Sequence, residues 1–191
     1  LMFIAGVDEA GRGPIAGPVT AAAVILDPYT RIKGLRDSKS LSVKKREYLS
    51  KRIKEYSICW NIVSIESKRI DSMNILQASL LAMKEAVLGL EKKPDKVLFD
   101  GLFSPDISIL SSAIIKGDSK RKSIMAASII AKVARDKLMV EIDNKYPDYG
   151  FKQHKGYPTK LHINKLKLFG PCEEHRTTFK PVSILINKEI R

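Results

Sequence analysis

The sequence has only two cysteines, Cys59 and Cys172, far apart and without a C-x-x-C pair. Their scarcity excludes a disulfide framework and a zinc knuckle and points to a reducing, cytoplasmic setting. Long apolar runs are also missing. The longest uncharged apolar stretch, residues 19–26, is far too short to span a bilayer, and no basic region precedes the apolar N-terminus, so a soluble, unexported chain is expected. Acidic residues are outnumbered, with 21 Asp and Glu against 34 Lys and Arg for a formal charge of +13. A surface field of that sign suits nucleic acid or an anionic membrane. The three histidines make no H-x-H or H-E-x-x-H pattern, and Cys172-x-x-His175 is half a metal site. They are expected at the surface or in packing, with His154 a candidate phosphate contact. No internal repeat, low-complexity tract or linker divides the 191 residues, which suffice for one domain with a sizeable core.

What is present is organised around Gly6-Val7-Asp8-Glu9-Ala10-Gly11-Arg12-Gly13-Pro14. The apolar run from Met2 to Val7 reads as a buried strand that brings two adjacent carboxylates to a glycine-rich turn. Buried carboxylates are costly alone, so Asp8 and Glu9 call for a nearby base or a bound cation. Successive strand residues face opposite sides, so both acids share one pocket only if the backbone bends, which Gly11 and Gly13 permit. Which of the two contacts a metal is open at this point.

Residues 18–26 read as a second strand and residues 57–66 as a third. Between them lies a basic loop over 31–42 and a helix capped by Ser42, with Val43, Leu49 and Ile53 as its few apolar positions. Residues 73–90 follow a helical period with Leu76, Leu80, Met83, Val87 and Leu90 on one stripe. Two further short strands end in acid beside glycine, at Asp100-Gly101 and Lys116-Gly117-Asp118. Residues 123–146 are helical and small-sided in their first half, which suits close packing on a sheet. A basic loop over 151–159, a short helix to about Phe169 and a tail from Pro181 complete the chain. Strands alternating with helices give an α/β class, and the strand pair joined by the glycine turn predicts a mixed sheet.

In α/β sheets ligands gather where strand ends meet, so Asp8, Glu9, Asp100 and Asp118 are candidates for one cluster. Like charges at close range raise one another's pKa, and a divalent cation resolves the conflict; all-oxygen donors suit Mg²⁺ or Mn²⁺. Taken singly each acid has a plain structural use: Asp100 in a turn, Asp118 as a helix cap, Asp8 paired with Arg12. The glycine turn, Gly11-x-Gly13-x-x-x-Gly17, misses the dinucleotide and P-loop spacings. Its glycines can instead bring backbone groups against a ribose 2′-hydroxyl. Tyr157, among Lys152, Lys155 and Lys160, suits stacking on a nucleotide or burial in a loop. Lys39, Lys44, Lys45, Arg46, Lys120, Arg121 and Lys122 can together neutralise a phosphate backbone. Asp136 is expected to pair with Lys132 one helical turn away.

The series Asp8-Glu9-Ala10-Gly11-Arg12-Gly13-Pro14, Asp37-Ser38-Lys39-x-Leu41-Ser42, Asp100-Gly101, Lys116-Gly117-Asp118, Ala126-Ala127-Ser128 with Arg135-Asp136, His154-Lys155-Gly156-Tyr157 and His175-Arg176-x-x-Phe179 resembles bacterial ribonuclease HII, in order and over nearly the whole chain. The resemblance implies an RNase H-like α/β fold, with a mixed, mainly five-stranded sheet flanked by helices over residues 1–150 and a basic loop with a helical extension over 151–191. It implies cleavage of the RNA strand in RNA–DNA hybrids and incision of duplex DNA 5′ of a single embedded ribonucleotide by two-metal-ion hydrolysis. Asp8, Glu9, Asp100 and Asp118 fall on the family's catalytic, metal-binding acids. Gly11, Arg12 and Gly13 fall on the reader of the 2′-hydroxyl, and Tyr157 on the residue that stacks near the RNA–DNA junction. Lys39 is the expected substrate contact of the basic loop, no membrane partner is expected, and the chain is expected to act as a monomer. A non-catalytic basic binding module and a DNA nuclease on the same fold are the rival readings.

Overall fold

A computed structural model describes residues 2–36 and 38–189. Asp37 of the second motif and the chain ends, including the last residues of the tail, lie outside the described residues. Five strands form one sheet: β1 (Ile4–Ala10), β2 (Val19–Leu26), β3 (Ser57–Ile65), β4 (Lys96–Asp100) and β5 (Ser111–Ile114). Their order is β3-β2-β1-β4-β5. β1 runs antiparallel to β2, and β2 to β3. β4 lies parallel to β1, and β5 parallel to β4. The sheet is therefore mixed, as the hairpin through the glycine turn requires.

β1 and β2 occupy the middle and are covered on both faces, which is why they read as continuous apolar runs rather than alternating ones. Helix α1 (Val43–Tyr56) follows the basic loop, with Ser42 Oγ accepting from Lys45 N. It buries Leu49 and Ile53, whereas Val43, expected on the buried stripe, is 59% exposed. The helix expected over 73–90 is α3 (Ile75–Leu88), and a short helix not expected from the sequence, α2 (Ser67–Met73), precedes it across Asn74. Asn74 takes φ 73° and its side chain caps α3 by accepting from Gln77 N, uses to which asparagine is suited. Of the expected stripe Met83, Val87 and Leu90 are buried in the core while Leu76 and Leu80 are only half-buried, and Ala78, Ala82 and Ala86 complete the face α3 lays on the sheet. Alanine lets the helix come closer to Ala21, Ala23 and Val7 than leucine would.

After β5 a left-handed Lys116 turns the chain into the short α4 (Gly117–Lys120), and α5 (Lys122–Lys145) crosses the opposite face. Its Ala126, Ala127, Ile129, Ile130 and Ala131 pack on Ala22, Val24, Leu49 and Ile53. The approach is closest at Gly6 of β1, where a Cβ would stand 2.1 Å from the Ser123 carbonyl carbon and 2.3 Å from Ile124 N. Only glycine fits there.

The chain then folds back over the glycine turn. The expected basic loop opens as a helical turn, α6 (Phe151–His154), and is followed by α7 (Lys160–Phe169) and α8 (Val182–Glu189). Ile15 packs with Leu166 and Val182, and Ala16 with Met139, Tyr149 and Phe151. Among the described residues no helix is long and apolar enough to cross a membrane.

Candidate active site

The parallel pairing of β1, β4 and β5 puts their C-terminal ends on one edge. Val7 pairs with Phe99, so Asp8 stands one step past it beside Asp100, the last residue of β4. Asp100 Oδ1 accepts from Gly117 N at 2.6 Å and Asp118 N at 3.2 Å, which ties the turn after β5 to β4. Asp118 is thus one residue into α4 rather than on the strand itself. One carboxylate oxygen each from Asp8, Asp100 and Asp118 lies within 4.8 Å of the others.

These acids line a cleft of about 250 Å³ that also contains Glu9, Gly11, Arg12, Gly13, Lys39 and Tyr157. The four acids, the glycine turn, Lys39 and Tyr157 thus face one space. Glu9 enters from the other side of the strand. Its carboxylate pairs with Arg12 at 3.7 Å, the partner expected for Asp8, and its Oε2 is buried without a hydrogen-bond partner. Lys39 Nζ lies 3.7 Å from Asp118 Oδ2 on an otherwise exposed side chain. Gly13 and Tyr157 close the cleft together, since a Cβ at Gly13 would be 3.5 Å from the Tyr157 ring. Tyr157 is 41% exposed, with Lys132 Nζ 5.9 Å from its ring centre. Lys132 makes the expected pair with Asp136, at 2.8 Å.

The acids carry the electrostatic strain of the site. Burial pushes the Asp8 carboxyl well above the usual range, and the neighbouring Glu9 and Asp100 push it further. Burial raises Glu9 as well, against the opposing pull of Arg12. Hydrogen bonds from Glu9 N and Ser128 offset part of this at Asp8. A hard divalent cation fits such a donor set: all oxygen, converging and anionic, with an orphaned carboxylate oxygen alongside.

The basic loop is held by Arg46, whose Nη1 donates to Ser38 O and Leu41 O, and by the Ser38–Ser128 hydroxyl pair. Lys44, Lys45, Lys120, Arg121 and Lys122 are exposed around it. The histidines are all buried, and His154 is no phosphate contact. Its Nδ1 accepts from Gly156 N and its Nε2 bonds Tyr149 O, so both ring nitrogens are committed to backbone. His154 stacks on His162 at 4.1 Å between centroids, and His162 Nε2 meets His175 Nε2 at 3.1 Å.

Two buried arginines, which the sequence reading left without a role, stand behind the glycine turn. Arg135 donates from Nε to Pro18 O, from Nη2 to Ala16 O and from Nη1 to Lys155 O. Arg176 donates from Nε to Gly17 O, from Nη1 to Arg12 O and Pro14 O, and from Nη2 to Gly11 O. Neither forms an ion pair among the described residues. Burial lowers Arg135 to about 10 and Arg176 to about 9, so both remain cations at neutral pH. A signal for Arg135 was present: it falls on the stripe of α5 that buries Ile124, Ala127, Ala131 and Met139.

The sequence profile of the family described as Ribonuclease HII matches residues 5–182. A ribonuclease HII of Delftia acidovorans is 52% identical over 185 residues, 97% of this chain and 79% of that protein. The solved ribonuclease H2 of Pyrococcus horikoshii OT3 is similar in structure with a TM-score of 0.83 at 27% identity, covering 100% of both chains. A chain of the PCNA:RNase HII complex from Archaeoglobus fulgidus gives a TM-score of 0.79 at 27% identity, over 94% of this chain and 96% of that one.

Proposed function

The chain belongs to the ribonuclease HII family and is a ribonuclease H, an endoribonuclease for RNA–DNA hybrids; we propose that it also incises duplex DNA 5′ of single embedded ribonucleotides. The products are a 3′-hydroxyl and a 5′-phosphate, and the role is removal of ribonucleotides from DNA. The observation that carries the proposal is the placement of Asp8, Asp100 and Asp118 within 4.8 Å of one another, in the same cleft as a glycine turn and Tyr157. Catalytic acids alone would serve any phosphodiester. It is the turn beside them that favours a ribonucleotide over an all-DNA substrate.

Asp8, Asp100 and Asp118 would hold two Mg²⁺ or Mn²⁺ ions, with Glu9 beside them through its unpartnered Oε2. Bound there, the ions would supply activation of the attacking water and neutralisation of charge on the leaving 3′-oxygen. The chain's own groups do the rest. Gly11, Arg12 and Gly13 present backbone to the cleft for a ribose edge, and Tyr157 offers a ring face for the neighbouring nucleotide. Lys39 sits at the rim beside Asp118, where it offsets carboxylate charge and meets an incoming phosphate. The exposed basic residues of the loop and of α1 and α4 neutralise the backbone on either side without reading bases.

The test is incision of an end-labelled DNA duplex carrying one ribonucleotide, with Mg²⁺, with Mn²⁺ and with chelator, beside an all-DNA control. A metal-dependent cut 5′ of the ribonucleotide, with the control intact, is the expected result. Cutting of the control would refute 2′-hydroxyl reading, and a cut only in long hybrids would remove junction recognition.

A further inference from the structure

Four of the five N–H groups of Arg176 are spent on carbonyls of one short stretch, those of Gly11, Arg12, Pro14 and Gly17, at 2.6–3.1 Å. A buried guanidinium satisfied by backbone rather than by a carboxylate is a template for that backbone. It fixes where each carbonyl points. In an extended strand successive carbonyls face opposite ways, yet Gly11 O and Arg12 O both reach this one side chain. The chain accommodates this through Gly11 at φ +96°, where a Cβ would also collide with Arg135 Nε at 2.0 Å.

The peptide plane then dictates what the other side shows. In a trans peptide the C=O and the following N–H point in opposite directions. Turning Gly11 O and Arg12 O inward to Arg176, which is fully buried, turns the N–H groups of Arg12 and Gly13 outward. Outward from these residues is the cleft, which Gly11, Arg12 and Gly13 line. Two adjacent donors on one side suit an oxygen acceptor with two lone pairs.

The same device sets the opposite wall. Arg176 N donates to Ile15 O, and Ile15 N donates to Gly156 O, the residue before Tyr157. Arg135 Nη1 holds Lys155 O in the same strip while its Nε and Nη2 hold Pro18 O and Ala16 O. The two walls are thus joined by the Ile15–Gly156 backbone bond and by Arg135, and Arg176 holds the glycine-turn side of that join.

We propose that Arg176 is a positioning residue for ribonucleotide selection: by binding the carbonyls of Gly11, Arg12 and Pro14 it aims the Arg12 and Gly13 N–H groups at the 2′-oxygen. It touches neither substrate nor metal. The proposal rests on the reading of the glycine turn as the 2′-hydroxyl contact.

The experiment compares wild type, Arg176→Lys, Arg176→Gln and Asp71→Asn. Single-turnover cleavage is followed at saturating enzyme with Mn²⁺, on duplexes carrying at one position either a ribonucleotide or its 2′-fluoro analogue, which accepts a hydrogen bond only weakly. Lysine keeps the charge but cannot span four carbonyls. Asp71 accepts from the backbone N–H and hydroxyl groups of Thr177 and Thr178, so Asp71→Asn loosens the same segment without touching the turn. Misplacing donors by about 1 Å costs on the order of 10²-fold in rate. The expected outcome is a ribo/fluoro rate ratio at least tenfold lower in Arg176→Lys and Arg176→Gln, and a wild-type ratio in Asp71→Asn despite a lower melting temperature. Because both substrates see the same enzyme, a smaller folded fraction cancels from the ratio. A ratio within twofold of wild type in Arg176→Lys would overturn the positioning role. A wild-type enzyme that fails to distinguish the two substrates would instead remove the 2′-hydroxyl reading on which the role depends.

Discussion

Acidification should unlock the fold at the histidine cluster, where the hydrogen bonds fix which ring nitrogen carries each proton. His175 Nδ1 accepts from Cys172 N, which leaves its proton on Nε2. That proton is donated to His162 Nε2, so His162 carries its own proton on Nδ1 and donates it to Tyr157 O. The chain of bonds exists only with both rings neutral. Burial accordingly lowers both histidines from 6.5 to about 4, with the neighbouring rings adding to the effect. The sign follows from proton counting. Between pH 6.5 and about 4 the unfolded chain binds protons that the folded chain refuses, so stability is complete above about 6.5 and lost as pH falls toward 4. A shift of that size corresponds to about 3 kcal/mol for the first proton the pair takes up. Asp8 and Glu9 act in the opposite sense, because their raised pKa values let the folded chain hold protons that the unfolded chain has released. The histidine contribution is therefore read as a difference. Urea unfolding followed by circular dichroism at pH 7.5, 6.0 and 5.0, in chelator, should show wild type losing stability relative to the double variant His162→Gln with His175→Gln as pH falls. Parallel curves for the two proteins would refute the tautomer assignment.

Other perturbations act at separate points. Gly6→Ala drives a methyl into the backbone of residues 123 and 124 and should cost about 3 kcal/mol. In a thermal melt this lowers the midpoint by roughly 6–12 °C. Asp8→Asn should abolish turnover yet raise the melting temperature of metal-free protein, because it removes one of the converging buried charges; adding Mn²⁺ should then stabilise wild type more than the variant. Tyr157→Ala should slow single-ribonucleotide incision by about 1–3 kcal/mol, the worth of one base–aromatic stack, and slow long-hybrid cleavage less. An equal effect on both substrates would assign the ring to packing.

The parts of the site that were legible in the sequence are those written locally. Short apolar runs ending at Asp8, Asp100 and Asp118 gave three strands, and the rule that ligands gather at strand ends brought their acids together. The small residues of α5 announced its close seat on the sheet. The leucines of α3 misled because a hydropathy stripe ranks Leu above Ala, while a helix lying flat on alanine-rich β2 is selected for closeness. Asn74 was passed over because one residue in the left-handed region leaves the surrounding period intact. The histidine cluster and the arginines were illegible for another reason. His162 meets His175 across a turn, and Arg176 meets Gly11 across 165 positions, separations at which periodicity carries no information. Motif matching preserved both arginines as letters without revealing what they hold.

That long reach has a consequence for how the protein comes into being. The acids at residues 8 and 9 are made well before Arg176, from which the turn beside them takes its bonds. At typical translation speeds of about 5–20 residues per second, the interval between them is on the order of 10–30 s. During that interval the glycine turn lacks the guanidinium that holds its carbonyls. The glycine turn is thus held in place only once residue 176 has been made. Asp100 and Asp118, which join Asp8 at the cleft, are also made before Arg176, so the acids are complete before the turn beside them is held.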